Sequence, residues 1–257
     1  MKKSKLQTIS LGLVLPVLLL IGLEVVCRYE IFPPQIVVPP HLVLATFIDL
    51  IHTGELQANL RISIIRVFFG FVLGTTSGFT LGTAMALSPR VERIVSPLLS
   101  GLSQVPLFGW IPLMILWFGI GETFKIVFIS IGAFFPMLIN TLEGINGVPK
   151  SYIEVARAFE FSPAKLLGKV LLPAAVPSLF TGIKLALGMS WMLVIGAELV
   201  AAGEGVGYMI VWGRQLFQMD LVFVGILVVG FIGYTMFVVI NTLEASLIPW
   251  HQRPSGK

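Results

Sequence analysis

The sequence predicts an all-α, polytopic membrane protein with about six transmembrane helices, and three observations carry that prediction. Hydrophobic residues make up 56% of the 257 positions and charged ones 12%, where an ordinary soluble domain carries about 25% charged residues. Six apolar runs recur, each close to or above the roughly 20 residues needed to cross the hydrocarbon core. Between the fourth and fifth runs lies Glu154 to Pro173, EVARAFEFSPAKLLGKVLLP, which has the composition of two short soluble helices.

The elements follow in order. Met-Lys-Lys-Ser-Lys and the apolar run after it resemble a signal peptide. Glu-Val-Val-Cys-Arg-Tyr then stands where a small-residue cleavage site would be, so Ile9 to Val26 is expected to be a retained first helix. Next come Pro33-Pro, Pro39-Pro and a stripe of Leu44, Phe47, Ile48 and Ile51, the pattern of an interfacial helix on the outer leaflet. The second run is Ile64 to Leu87. The third, Ile94 to Phe118, contains Pro97, Pro106 and Pro112. Backbone freed by proline is tolerated only where protein or water satisfies it, so this span is expected to be broken and to face the bundle interior. Phe124 to Ile145, Val176 to Ala202 and Leu221 to Ile248 complete the set.

Charge sets the orientation. With a cytoplasmic N-terminus and six crossings, Lys2, Lys3, Lys5, Arg90, Arg93, Lys150, Arg157, Lys165, Lys169, Lys184, Arg253 and Lys257 fall inside, twelve in all. Arg28, Arg61, Arg66, Lys125 and Arg214 fall at the outer side, five in all. Twelve against five predicts both termini in the cytoplasm by the positive-inside rule. The pI of 9.3 then records orientation, not nucleic-acid binding. The single cysteine, Cys27, excludes an internal disulfide and a cysteine-based metal cluster.

The charged stretch therefore lies in the cytoplasmic loop between spans four and five. Ser151-Tyr-Ile-Glu154 reads as a capping box that starts a helix. Tyr152, Val155, Ala156 and Phe159 fall on one stripe, and Glu154, Arg157 and Glu160 are spaced for i, i+3 pairing. Ser162-Pro163 reads as N-cap and first residue of a second helix, which Pro173 and Pro177 are expected to stop. Helices under about 12 residues are marginal alone in water, so the apolar stripe needs a partner.

Glu154-Val-Ala156, Val170 and Leu172-Pro173 resemble the EAA loop of the membrane subunits of bacterial importers driven by ATP-binding cassettes. Pro112 to Glu122, Leu171 to Ser178, Ala197-Glu-Leu199, Gly205 to Tyr208 and Pro249-Trp-His251 are similar to the permeases for aliphatic sulfonates and taurine, with the nitrate and bicarbonate permeases next. The resemblance runs from about Val38 to His251. Val155 replaces an alanine of that pattern and Glu160 replaces the glycine of its turn, where left-handed backbone would be free of steric cost.

The resemblance implies a type I importer permease: a single transmembrane domain over 1–257 with a cytoplasmic coupling loop at 148–175, in the bacterial inner membrane. It implies a second copy of the permease, two cytoplasmic ATPase subunits that bind ATP and Mg, and a periplasmic substrate-binding protein. Glu154, Ala156, Phe159, Glu160, Pro163, Leu172 and Pro173 would build and seat the coupling helices. The chain itself is expected to hold no cofactor or metal and to hydrolyse nothing, since no G-x-x-x-x-G-K-[ST] stretch occurs.

Candidates for the substrate path are Gln104, Trp110, Trp117 and Trp191, with Asn140 beside them, and Tyr208, Trp212 and Arg214 as an outer vestibule attracting an anion. Glu198 lies in span five, where a carboxylate is costly. It would repel an anion, so it is expected to be protonated or paired with a cation such as Arg66. A rival from another class, an intramembrane hydrolase using Ser190, lacks a histidine base, because His41, His52 and His251 all fall outside the spans. A channel or scaffold leaves the capped cytoplasmic helix pair without a purpose.

Overall fold

The structure is a computed structural model that describes residues 37–247 without interruption, preceded by 14–15, 18 and 21–29. Much of the expected first span, Ile248 and Pro249-Trp-His251 lie outside the described residues, as do Lys2, Lys3, Lys5, Arg253 and Lys257. The chain divides into two compact units, Met1–Arg61 with Glu204–Gly230, and Ile62–Gly203 with Phe231–Lys257.

The described elements are all helical: α1 Pro40–His52, α2 Glu55–Leu87, α3 Pro89–Ser103, a 3₁₀ turn Leu107–Trp110, α4 Ile111–Phe118, α5 Glu122–Asn146, α6 Lys150–Ala158, α7 Pro163–Leu166, a π-helical turn Leu167–Leu171, α8 Leu172–Ala201, α9 Val206–Gln215 and α10 Met219–Leu247. Among the described residues four helices are long and apolar enough to cross a bilayer: α2, α5, the continuous helix Pro163–Ala201 that contains α8, and α10. The expected third span is broken, α3 and the segment Leu107–Phe118 meeting at 89°. Of its three prolines only Pro106 sits at the break. Pro97 is carried inside α3, and Pro112 occupies the first turn of α4, where its missing N–H breaks no intrahelical bond. α3 buries no residue.

In the first unit, the Thr46 hydroxyl of α1 donates to Asp220 at the head of α10 (2.6 Å), and the Gly205 N–H donates to the Asn59 side chain (2.7 Å).

In the second unit α5 is the central helix, and glycines decide how closely its neighbours approach. Gly70, Gly74, Gly78 and Gly82 recur every four residues along α2, so all lie on one face. A Cβ on Gly78 would stand 2.5 Å from the Phe134 carbonyl oxygen, one on Gly82 2.8 Å from that of Leu138, and one on Gly74 would overlap that of Ser130. This is backbone-to-backbone packing of the small-xxx-small kind, which replaces the hydrophobic drive that lipid does not supply. On the opposite side, Gly144 of α5 abuts Ser178, Gly182 of α8 abuts Asn140, and the Ser178 hydroxyl donates to the Asn140 carbonyl at 2.8 Å. Phe124, Phe128, Ile129, Ala133, Leu193 and Val194 fill this core and are at most 1% exposed.

Candidate functional site: a coupling bracket and a buried ionic cluster

The bracket is present, with three corrections to its expected construction. Its first helix starts at Lys150 with Pro149 as N-cap and no side-chain cap. Ser151 thus has helical backbone, which a capping residue does not have, and the expected capping box is not formed. Ala156 is buried at 3% while Tyr152, Val155 and Phe159 are exposed, Phe159 at 74%. Ile153 packs against the chain's own core of Ile145, Val148, Leu171 and Ala175, as do Leu166, Leu167 and Leu172, and Ala156 is turned away from solvent. The outward stripe is therefore Tyr152, Val155 and Phe159 without Ala156. Thirdly, Pro173 and Pro177 do not stop the second helix, which runs on as Pro163–Ala201. The π-helical turn Leu167–Leu171 widens the helix just before α8, so Pro173 falls in the first turn of a new α-helical register, where a missing N–H is tolerated. Ser162 does cap the second helix, its hydroxyl accepting the Lys165 N–H at 3.4 Å, with Pro163 at the first helical position.

The turn closes without glycine. Glu160 itself adopts a left-handed backbone, φ +53°. The Phe161 N–H donates to the Ala156 carbonyl at 3.1 Å and the Glu160 N–H to that of Arg157 at 2.9 Å. These two bonds are the 6→1 and 5→2 pair of a Schellman motif, with Glu160 at the position where glycine is most at ease. Among the described residues no ion pair involves Glu154, Arg157 or Glu160. Glu154, Glu160, Pro163 and Pro173 are exposed, and Leu172 is half-buried.

At the opposite ends of α5 and α8 from the bracket lies a second constellation. Arg66 of α2 donates from Nη1 to Glu198 Oε1 at 2.8 Å, from Nε to Glu122 Oε2 at 2.7 Å and from Nη2 to Glu122 Oε1 at 2.6 Å. The Ser63 hydroxyl lies 2.8 and 2.9 Å from the two Glu198 oxygens, and Lys125 Nζ donates to Glu122 Oε1 at 2.7 Å. Arg66, Lys125, Ser63 and Glu198 are all buried. Glu122, whose side chain is 56% exposed, completes the set, so that two cations face two carboxylates. Glu198 is thus paired with Arg66. The i, i+3 spacing of Glu122 and Lys125 is legible in the sequence, but nothing local marks Ser63 as the partner of Glu198 or Glu122 as that of Arg66.

Gln104 ends α3 at the break and is exposed, Trp110 closes the 3₁₀ turn half-buried, and Trp117 is 63% exposed. Trp191 is 7% exposed and packs against Gly233, where it joins α8 to α10. Asn140 donates to the Pro136 carbonyl of its own helix at 2.8 Å. Tyr208 and Trp212 stack on α9 with centroids 6.0 Å apart. Arg214, two residues on from Trp212, leaves the helix on another side. Trp212 instead borders a cavity of about 470 Å³ lined also by Thr46, Asp49, Glu55, Gln218 and Asp220, whose carboxylates disfavour an anion.

Residues 70–250 match the family model described as binding-protein-dependent transport system inner membrane component. The chain belongs to that family. It is 39% identical, over 95% of its length and 89% of the relative's, to the putative aliphatic sulfonates transport permease protein SsuC of Bacillus subtilis. It is 32% identical to the taurine transport system permease protein TauC of Escherichia coli, over 96% and 91%. Its fold is that of a type I importer permease: it superposes on a chain of the inward-facing MetNI methionine ABC transporter with a TM-score of 0.57, at 22% identity, over 78% of this chain and 96% of that one. The permease is accordingly a multi-pass membrane protein, and the bracket occupies the part of the chain in which its EAA-like residues were found.

Proposed function

We propose that this chain is the subunit through which an ATP-binding-cassette importer moves a small anion, an aliphatic sulfonate or taurine, into the bacterial cytoplasm. The observation that carries the proposal is the exposed row Tyr152, Val155 and Phe159 on a helix whose other face is anchored by Ile153 and Ala156. An apolar row held rigidly outside the spans has no use for lipid on a cytoplasmic bracket. It fits a groove on an ATPase subunit, as an amphipathic helix fits a hydrophobic groove. Two permease copies would flank a pathway, each bracket seated on one ATPase that binds ATP and Mg, while a periplasmic binding protein delivers substrate at the far side. Glu154, Glu160, Pro163, Leu172 and Pro173 shape the bracket and Phe159 is its principal anchor. Glu198, neutralised by Arg66, holds the spans together and takes no part in anion passage.

The test is Phe159→Asp. In the reconstituted complex it should abolish transport-coupled ATP hydrolysis while the permease still inserts in the membrane, and stimulated hydrolysis at the normal rate would refute the proposal. Calorimetry of the cognate binding protein with an aliphatic sulfonate, taurine, nitrate and bicarbonate decides the anion. Binding of nitrate or bicarbonate alone would replace the sulfonate and taurine assignment.

A further inference from the structure

In the second unit α8 is tied to its neighbours at two levels, and the ties differ in kind. The upper tie is the cluster of Arg66, Ser63, Glu122, Lys125 and Glu198. The lower tie is a single ion pair, Lys184 Nζ of α8 to Glu244 Oε2 of α10 at 2.7 Å, with side chains 26% and 24% exposed. Residues 185–197, between Lys184 and Glu198, carry no charge. Those thirteen positions rise about 20 Å at 1.5 Å per residue, less than the hydrocarbon thickness of about 30 Å. α8 therefore cannot hold both charges clear of lipid, and each needs a counter-charge from another helix.

The ties are not equally hard to break. Parting Arg66 from Glu198 would leave the Glu198 carboxylate, whose side chain is fully buried, without its counter-charge, which is strongly unfavourable. Lys184 and Glu244 are each about a quarter exposed, and Glu244 is only three residues from the end of α10 at Leu247. Once separated, both long side chains can turn toward the interface. Lys184 also lies on the same unbroken helix, Pro163–Ala201, as the second helix of the bracket. A displacement of the bracket is thus carried mechanically to Lys184, whereas Glu244 belongs to a helix with no covalent continuity to the bracket.

We infer that the Lys184–Glu244 pair is a latch that opens and closes with the nucleotide cycle, letting α8 and α5 shift together against α10 while the Arg66 cluster stays closed. The two are positioning residues: they set the alignment of α8 and α10 and do not touch substrate. The inference rests on the ATPase docking at the bracket.

The test uses full-length permease with Cys27 replaced by Ala and cysteines placed by Lys184→Cys and Glu244→Cys, copurified with its ATPase. Yield with a short bifunctional thiol cross-linker is compared without nucleotide and after trapping with ATP and vanadate. Yield should change about tenfold between the two states, as for a two-state element moved from mostly closed to mostly open. An Asn140→Cys, Ser178→Cys pair in the fixed α5–α8 interface should cross-link equally in both. Equal yield for the 184–244 pair overturns the latch. Independently, Lys184→Glu and Glu244→Lys made singly should each disturb basal ATP hydrolysis, and the double exchange should restore it; a double exchange as impaired as the singles also overturns the latch. Failure of the wild-type permease to copurify with any ATPase would instead refute the docking on which the inference rests.

Discussion

Arg66 and Glu198, 132 residues apart in the chain, meet at 2.8 Å in a site where both side chains are at most 4% exposed. The contact joins α2 to α8, and the other two guanidinium nitrogens of Arg66 join both to the head of α5 through Glu122. Removing one partner of a buried pair leaves the other charge without compensation, at a cost of about 3–5 kcal/mol. Arg66→Leu should therefore lower the thermal midpoint of the detergent-solubilised permease sharply, and Arg66→Leu with Glu198→Leu should recover part of the loss. Glu198→Gln keeps the acceptor for Ser63 and leaves Arg66 its two bonds to Glu122, so uptake should stay near the wild-type rate, measured in proteoliposomes. A large fall in uptake with normal stability would move Glu198 onto the substrate path.

The glycine row of α2 gives a contrast within one residue type. Gly78→Ala puts a methyl 2.5 Å from the Phe134 carbonyl oxygen, a backbone atom that cannot step aside, and should cost about 1–3 kcal/mol by overpacking. Gly188 of α8 has no atom within 4 Å of the corresponding position. Gly188→Ala should be neutral, or stabilising by up to about 1 kcal/mol from helix propensity. Parallel thermal scans of the two variants check both signs.

Glu160 holds a left-handed backbone, φ +53°, at the C-terminal turn of α6, which costs an L-residue roughly 1–2 kcal/mol relative to glycine. Glu160→Gly should raise the stability of the bracket by about 1 kcal/mol, read as slower backbone amide exchange over residues 150–165. Faster exchange there would mean that the glutamate side chain makes a compensating contact.

The bracket should face the cytoplasm. A cysteine introduced by Ser162→Cys, exposed at the start of α7, should react with an impermeant thiol reagent in inside-out vesicles and not in right-side-out ones. The opposite pattern would invert the topology deduced from the twelve-to-five charge count.

Several features could be read locally. The Ser162-Pro163 helix start was visible because capping is decided by neighbouring residues. The break in the third span was visible as a cluster of prolines, although Pro106 alone makes it. Local rules failed at Ser151 and Pro173. A capping sequence one residue inside the helix cannot act as a cap, and a π-helical turn reset the register that Pro173 would otherwise have interrupted. The four-residue glycine spacing of α2 was present in the sequence, but only the structure says which helix those glycines meet.

By itself the sequence determined that this chain lives in a membrane, roughly where five of its six expected spans run, and that a charged helical pair projects between two of them, because hydropathy, charge and capping act over a few neighbouring residues. Only the tertiary structure decided which charges neutralise one another, that Ala156 turns inward while Phe159 stays out, and that Trp191 is packed away. Those outcomes depend on helices that are distant in the chain coming within hydrogen-bond or van der Waals range, and no local pattern encodes that approach.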